Sequence, residues 1–201
     1  MKYLRSASGM VIVSRRRVLL TLSSNRDDAR ARDYVIQGLY LVGVRSFENF
    51  IEGQIVGLAT GKLSWKPRVI GPARCNCTTR FNEKRLSFAN ELIFAGKEYA
   101  DYLPYQRTTS IAKRIFVSGR PFSLLGDNEK STINRCIKVR HYIAHNSDHA
   151  ARDFVKTVTA IKKFRVKKPS VTHYLNENIR SGVSFFEHDL ATLVSAAKFL
   201  S

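Results

Sequence analysis

The stretch "LLGDNEKSTINRCIKVRHYIAHN", residues 124–146, decides how this chain is read. Asp127 is placed to cap a helix, and Ile133, Cys136, Ile137, Tyr142 and Ile143 then recur at steps that form one buried stripe. Beyond Asn146, Ser147 and Asp148 favour caps and turns over a helix interior, so the helix is expected to stop there and another to begin. Three of the chain's five histidines, His141, His145 and His149, fall beside Arg140 in this region.

Working outward, the same period recurs on both sides. Val35, Leu39, Val42, Phe47, Phe50, Ile51 and Ile55 predict a helix over about 28–59. Gly61, Pro67, Gly71 and Pro72 make 61–80 a long connection. A helix over 82–103 is expected next, stopped by Pro104, then a shorter one over 109–117 that "SGRPF" breaks. Phe154, Val155, Val158 and Ile161 share a face of the helix starting at Ser147 or Asp148, which "KKFRVKKPS" ends. The closing "FFEHDLATLVSAAKFL" puts Phe185, Leu190, Leu193, Val194 and Phe199 on one side. The sum is an all-α bundle with extra short helices. Residues 1–24, where "MVIV" and "VLLTL" fit strand or helix equally, read as an irregular N-terminal extension to a single helical domain over 25–201.

Composition narrows the partners. The 201 residues suit one domain, and 44% hydrophobic content suits a folded one. Lys and Arg number 34 against 16 Asp and Glu, giving +18, and the charge is dispersed along the chain. A compact body so charged concentrates polyanions: RNA, DNA or an acidic protein. Three cysteines, Cys75, Cys77 and Cys136, form neither an even disulfide set nor a complete zinc spacing, which points to a reduced cytoplasmic protein. "MVIV" is too short for a secretory signal, since Arg15, Arg16 and Arg17 soon interrupt the apolar run, and no stretch reaches membrane-span length. No metal or cofactor is expected, because "HYIAH" lacks the glutamate of a zinc-binding H-E-x-x-H.

The chemistry sits in "RHYIAH". On a regular helix Arg140 and His145 lie about 140° apart around the axis and about 7.5 Å along it, so they do not share a face cleanly. His141 and His145, at i and i+4, do. An imidazole can take a proton from a hydroxyl, and a guanidinium can clamp a phosphate and stabilise developing charge. Together they suit metal-free cleavage of RNA through its own 2′-hydroxyl. A bare R-x4-H would arise by chance about half the time in a chain of this composition, so its context has to carry the reading.

That context resembles the HEPN superfamily of ribonuclease domains. "RHYIAH" is similar to its signature, an Arg followed by a polar residue and, after a short helical spacer, a His. "LYLVGVRSFENFIEGQI" resembles the long first helix of the ribonuclease-type families and "EHDLATLVSAAKFL" their closing helix, so the resemblance covers about 28–200. Residues 1–24 and the 62–80 connection have no counterpart in it.

The resemblance implies a four-helix-type bundle, commonly a two-fold dimer, with the motifs of both chains lining one cleft. It assigns His145 as general base and Arg140 as stabiliser of the pentacovalent phosphate. The products are a 2′,3′-cyclic phosphate and a 5′-hydroxyl. His141 occupies the family's polar position, to orient the phosphate or protonate the leaving group. Glu48 is placed to fix Arg140 or a histidine, and Arg135 and Lys138 to bind flanking phosphates. A toxin or phage-defence effector is implied, with an antitoxin or other regulatory protein as a further partner. Two other classes compete: a catalytically silent HEPN module that binds RNA, nucleotide or a protein, and a DNA-binding helical protein suggested by charge alone. His149, His173 and His188 read as surface residues.

Overall fold

A computed structural model describes residues 26–60, 63, 102–145, 147–179 and 182–201, with side chains from residue 29 onward. Among them are six α-helices: α1 (Arg26–Thr60), α2 (Tyr105–Ile115), α3 (Asp127–His145), α4 (Asp148–Lys162), α5 (Val171–Asn176) and α6 (Phe185–Leu200). The described residues hold no β-strand beyond an isolated bridge between Asn178 and Ser184. The fold class is all-α. The N-terminal extension, most of the 61–80 connection and most of the helix expected over 82–103 lie outside the described residues.

α1 runs 35 residues, about 50 Å, and is held by one apolar edge. Ile36, Tyr40, Val44, Phe47, Ile51, Ile55 and Leu58 are buried, at steps of three and four that keep them in line. This stripe differs from the expected one: Val35 and Val42 are exposed, while Leu39 and Phe50 only flank the core. Burial follows position around the axis, and Val35 and Val42 fall on the far side. Tyr40 takes a core place because its hydroxyl finds a buried acceptor, Asp189, at 2.8 Å.

α6 packs across α1 at Gly43, where a Cβ would come 2.5 Å from Leu190 Cδ2, so the small residue permits the close approach. The N-terminus of α6 is fixed by a capping box: Ser184 accepts from the Glu187 amide, and Glu187 accepts from the Ser184 amide. Phe185, Leu190 and Leu193 are buried as expected, whereas Phe199 is exposed and Val194 half-buried. Phe186, Ala197 and Leu200 complete the inner face.

α3 lies against both α1 and α6, and α4 folds back along it. The turn between them is set by Ser147, whose side chain accepts from the Ala150 amide at 3.3 Å. α3 begins at Asp127 itself, so this residue occupies the first turn, beside Lys130, instead of the cap; the Gly126 carbonyl receives the Lys130 amide. α4 ends at Lys162, with Lys163 in the left-handed conformation.

Two boundaries move. Tyr102 and Leu103 are not helical, and for Leu103 the reason is Pro104, since proline disfavours helical backbone in the residue before it. Pro104 then caps α2, which starts four residues earlier than expected because the Tyr105 amide is satisfied across the fold by Asn134 Oδ1 of α3, at 2.7 Å. α5 lies just after the basic stretch that ends α4, where apolar periodicity predicts no helix; Ser170 caps it by accepting from the His173 amide.

An aromatic series ties the later helices together. Tyr142 stacks on Phe154 at 4.8 Å, Phe154 meets Tyr174 edge-on at 5.7 Å, and Tyr174 stacks on Phe185 at 4.7 Å. Such pairs each contribute about 0.5–1.5 kcal/mol beyond their burial. The Arg135 guanidinium lies 5.5 Å from the Phe185 ring centre and ends the series beside α6.

Candidate nucleic-acid interface and motif geometry

The buried face of α3 carries Thr132, Cys136 and Val139. Opposite it runs a solvent-facing stripe at steps of three and four: Asp127, Ser131, Asn134, Lys138, His141 and His145. The helix is continuous to His145, so both histidines of the motif stand on this stripe, at its C-terminal end. Their rings are 5.7 Å apart and set edge to face. His145 is exposed.

Along the same stripe, α3 and α4 wall a groove of about 670 Å³. Lys130, Arg135, Lys138 and Lys156 bring positive charge to it, and Asn134 and Ser131 add neutral hydrogen-bonding groups. Asp127 is the one carboxylate in the lining, 3.5 Å from Lys130. Lys138 and Lys156 form no ion pair with a described carboxylate. The groove is therefore basic, and Lys138 in its lining precedes His141 by one turn of α3. Sequence reasoning misses Lys156 and Lys130, because a lysine on a helix reads as ordinary solvation.

Arg140 turns the other way. The unbroken helix separates it from His145 by about 140°, and it meets α1, where its Nη2 is 3.7 Å from Glu48 Oε2. Glu48 also receives Arg45 Nη1 at 3.1 Å, so one carboxylate faces two guanidinium groups. Both Arg140 and Glu48 are largely covered, at 23% and 14% side-chain exposure, which weakens the screening of the pair by water. Within one chain, then, Arg140 and Glu48 come together, His141 and His145 come together, and the two pairs lie on different sides of α3.

Arg135 lines the groove, but its charge is engaged from within. Its Nη2 donates to Asp189 of α6, a fully buried carboxylate that also accepts from Tyr40. Burial alone would pull the guanidinium pKa down; the adjacent Asp189 more than reverses this and pushes it up. The Tyr40 hydroxyl and Cys136 thiol around the same carboxylate are both pushed well up, first by burial and then by the Asp189 charge. His188, at the rim, has Nδ1 3.3 Å from Arg135. This centre joins α1, α3 and α6, and no local sequence pattern marks a pair 54 residues apart.

The remaining histidines are dispersed. His149 is exposed in the first turn of α4, 3.7 Å from Asp153, and His173 is exposed on α5. Among the described residues no three His, Cys, Asp or Glu side chains gather as a metal site, and no helix is long and apolar enough to cross a membrane. No protein-family model, curated protein or solved structure matches the chain.

Proposed function

We propose that the chain is a HEPN-type, metal-independent endoribonuclease that binds RNA along the α3–α4 groove. The observation that carries this is the shared stripe: His141 and His145 stand at the end of the helix face whose preceding turns wall a basic groove. Phosphates would run along Lys138 and Lys156 and arrive at the imidazoles.

In the reaction, His145 takes the proton of a ribose 2′-hydroxyl and the 2′-oxygen attacks the adjacent phosphorus. The bond from phosphorus to the 5′-oxygen breaks, and that oxygen takes a proton from His141. A 2′,3′-cyclic phosphate and a 5′-hydroxyl result. Arg140 stabilises the charge on the phosphoryl oxygens. Since Arg140 faces α1 within its own chain, it reaches this phosphate from a second copy, in a two-fold cleft where each chain supplies what the other lacks. The family resemblance adds the setting, a cytoplasmic toxin or phage-defence effector restrained by an antitoxin or similar partner.

A second reading, a silent module that binds RNA without cutting it, draws on the same Arg140–Glu48 contact, which leaves the guanidinium engaged inside its own chain. Paired substrates separate the two, and separate both from a DNA reader. An RNA strand should be cut in excess EDTA, and the same strand carrying 2′-deoxyribose at the cleaved nucleotide should bind but stay whole at that position. Binding without cleavage of either strand would favour the silent module. Preference for duplex DNA over RNA would favour the DNA reader, and cutting at the deoxy position would exclude attack by the 2′-oxygen.

A further inference from the structure

A second groove, of about 650 Å³, lies between α4, the end of α3 and the loop before α5, and the proposed reaction does not use it. Its floor is apolar, made of Tyr142, Ala151, Phe154, Val155 and Pro169. Phe154 is buried, and Tyr142, half-buried, stacks on it at 4.8 Å with the planes 15° apart, so Tyr142 is the ring the groove offers. Around the floor stand four cations, Arg152, Lys156, Lys167 and Lys168, against one carboxylate, Asp148. All four cations are exposed, and none is ion-paired to a described carboxylate.

We propose that this groove is a base-binding subsite for single-stranded RNA: one unpaired nucleobase lies on the Tyr142 side of the floor while its flanking phosphates sit among Arg152, Lys167 and Lys168. An apolar lining that offers an aromatic ring, together with four exposed cations, matches a nucleotide in both of its parts, the π-face of the base and the charge of the backbone. A duplex offers no free base to such a floor, since sequence-bearing edges and faces become available only where strands are splayed. An acidic peptide would satisfy the cations but leave the aromatic floor unused.

One residue connects the subsite to the first groove, and another places it beside the histidines. Lys156 lines both, so the two grooves meet across α4. Tyr142 directly follows His141 and precedes His145 by three residues on α3. A strand lying in both grooves would thus hold one base at a fixed distance from the histidines, which would make the cut depend on the nucleotide seated there. The subsite rests on the ribonuclease reading only for that last step; binding does not require it.

The test uses the full chain carrying His145→Ala, so that cleavage cannot interfere, and a labelled single-stranded RNA of about a dozen nucleotides, within the range one such surface covers. Arg152→Ala combined with Lys168→Ala should weaken binding and lower the slope of log K against log salt by about 1.4, two phosphates' worth for a single strand. Tyr142→Leu should weaken single-strand binding about tenfold, as loss of one stacked base does, and duplex binding far less. Tyr142→Phe, which keeps the ring, should bind like the parent. Unchanged affinity in both the cation and the leucine variants would overturn the proposal. So would equal losses on duplex and single strand, or displacement of the RNA by polyglutamate at equal charge concentration. Because no cleavage is read, these failures leave the ribonuclease reading intact, and loss of that reading leaves the subsite standing if the binding pattern holds.

Discussion

Asp189→Ala should destabilise the protein by roughly 3–5 kcal/mol, the cost of breaking a buried ion pair by removing one partner. The alanine leaves the Arg135 guanidinium, only 16% exposed, without its counter-charge, and the buried Tyr40 hydroxyl without its acceptor. Both losses fall at the junction of α1, α3 and α6, which no other described polar centre joins. With total stabilities of about 5–15 kcal/mol for ordinary domains, this consumes a large share of the whole. Urea unfolding should show it as a shifted midpoint, and a thermal melt as a drop on the order of 10 °C at this chain length. Replacing both partners by apolar residues, Asp189→Leu with Arg135→Met, should recover most of the loss, because no charge is then stranded. A loss below about 1 kcal/mol for the single variant would mean that Arg135 reaches water easily and that the pair contributes little.

The largest effect on activity is expected from separating Arg140 and His145. Each of Arg140→Ala and His145→Ala should cut RNA cleavage by roughly 10²–10⁴-fold, the usual range for a positioned acid–base group or charge stabiliser. Mixed and allowed to exchange subunits, the two inactive proteins should regain activity. In a two-fold dimer whose sites each take Arg140 from one chain and His145 from the other, half of the dimers are mixed and half of their sites are intact. Recovery should therefore approach about a quarter of wild type. No recovery, with exchange verified by a mass-labelled chain, would place both groups in one chain and contradict the shared cleft. The orientation of Arg140 toward Glu48, away from the histidines, is what makes this experiment informative.

Local pattern makes the helices legible, and tertiary pairing hides the rest. Apolar recurrence locates α1, α3, α4 and α6, and the Ser147 turn comes from the chemistry of a short hydroxyl side chain at a helix start. Faces are harder than existence. Val35 and Val42 look like core by residue type, yet the buried edge runs through Ile36, Tyr40 and Val44, and Tyr40 belongs there only because of a carboxylate 149 residues away. Arg135 illustrates the same gap: its place in the sequence suggests a phosphate contact, and it does line the groove, but its charge is turned toward Asp189. The angular separation of Arg140 from His145 is readable from helix geometry alone. That Glu48 stands next to Arg140 depends on long-range packing between α1 and α3, which no local pattern shows. Lys156, which joins both grooves, carries no signal in the sequence, because its importance comes from where α4 lies.

The proposed reaction turns on His145 as the base that opens an RNA strand without a metal. The most direct measurement incubates a mixed-sequence RNA with wild type and with His145→Ala in excess EDTA and reads the new 3′ ends. Wild type should release fragments ending in 2′,3′-cyclic phosphate, and the variant essentially none. Equal cleavage by the two proteins, or wild-type fragments ending in a 3′-hydroxyl, would contradict that reaction.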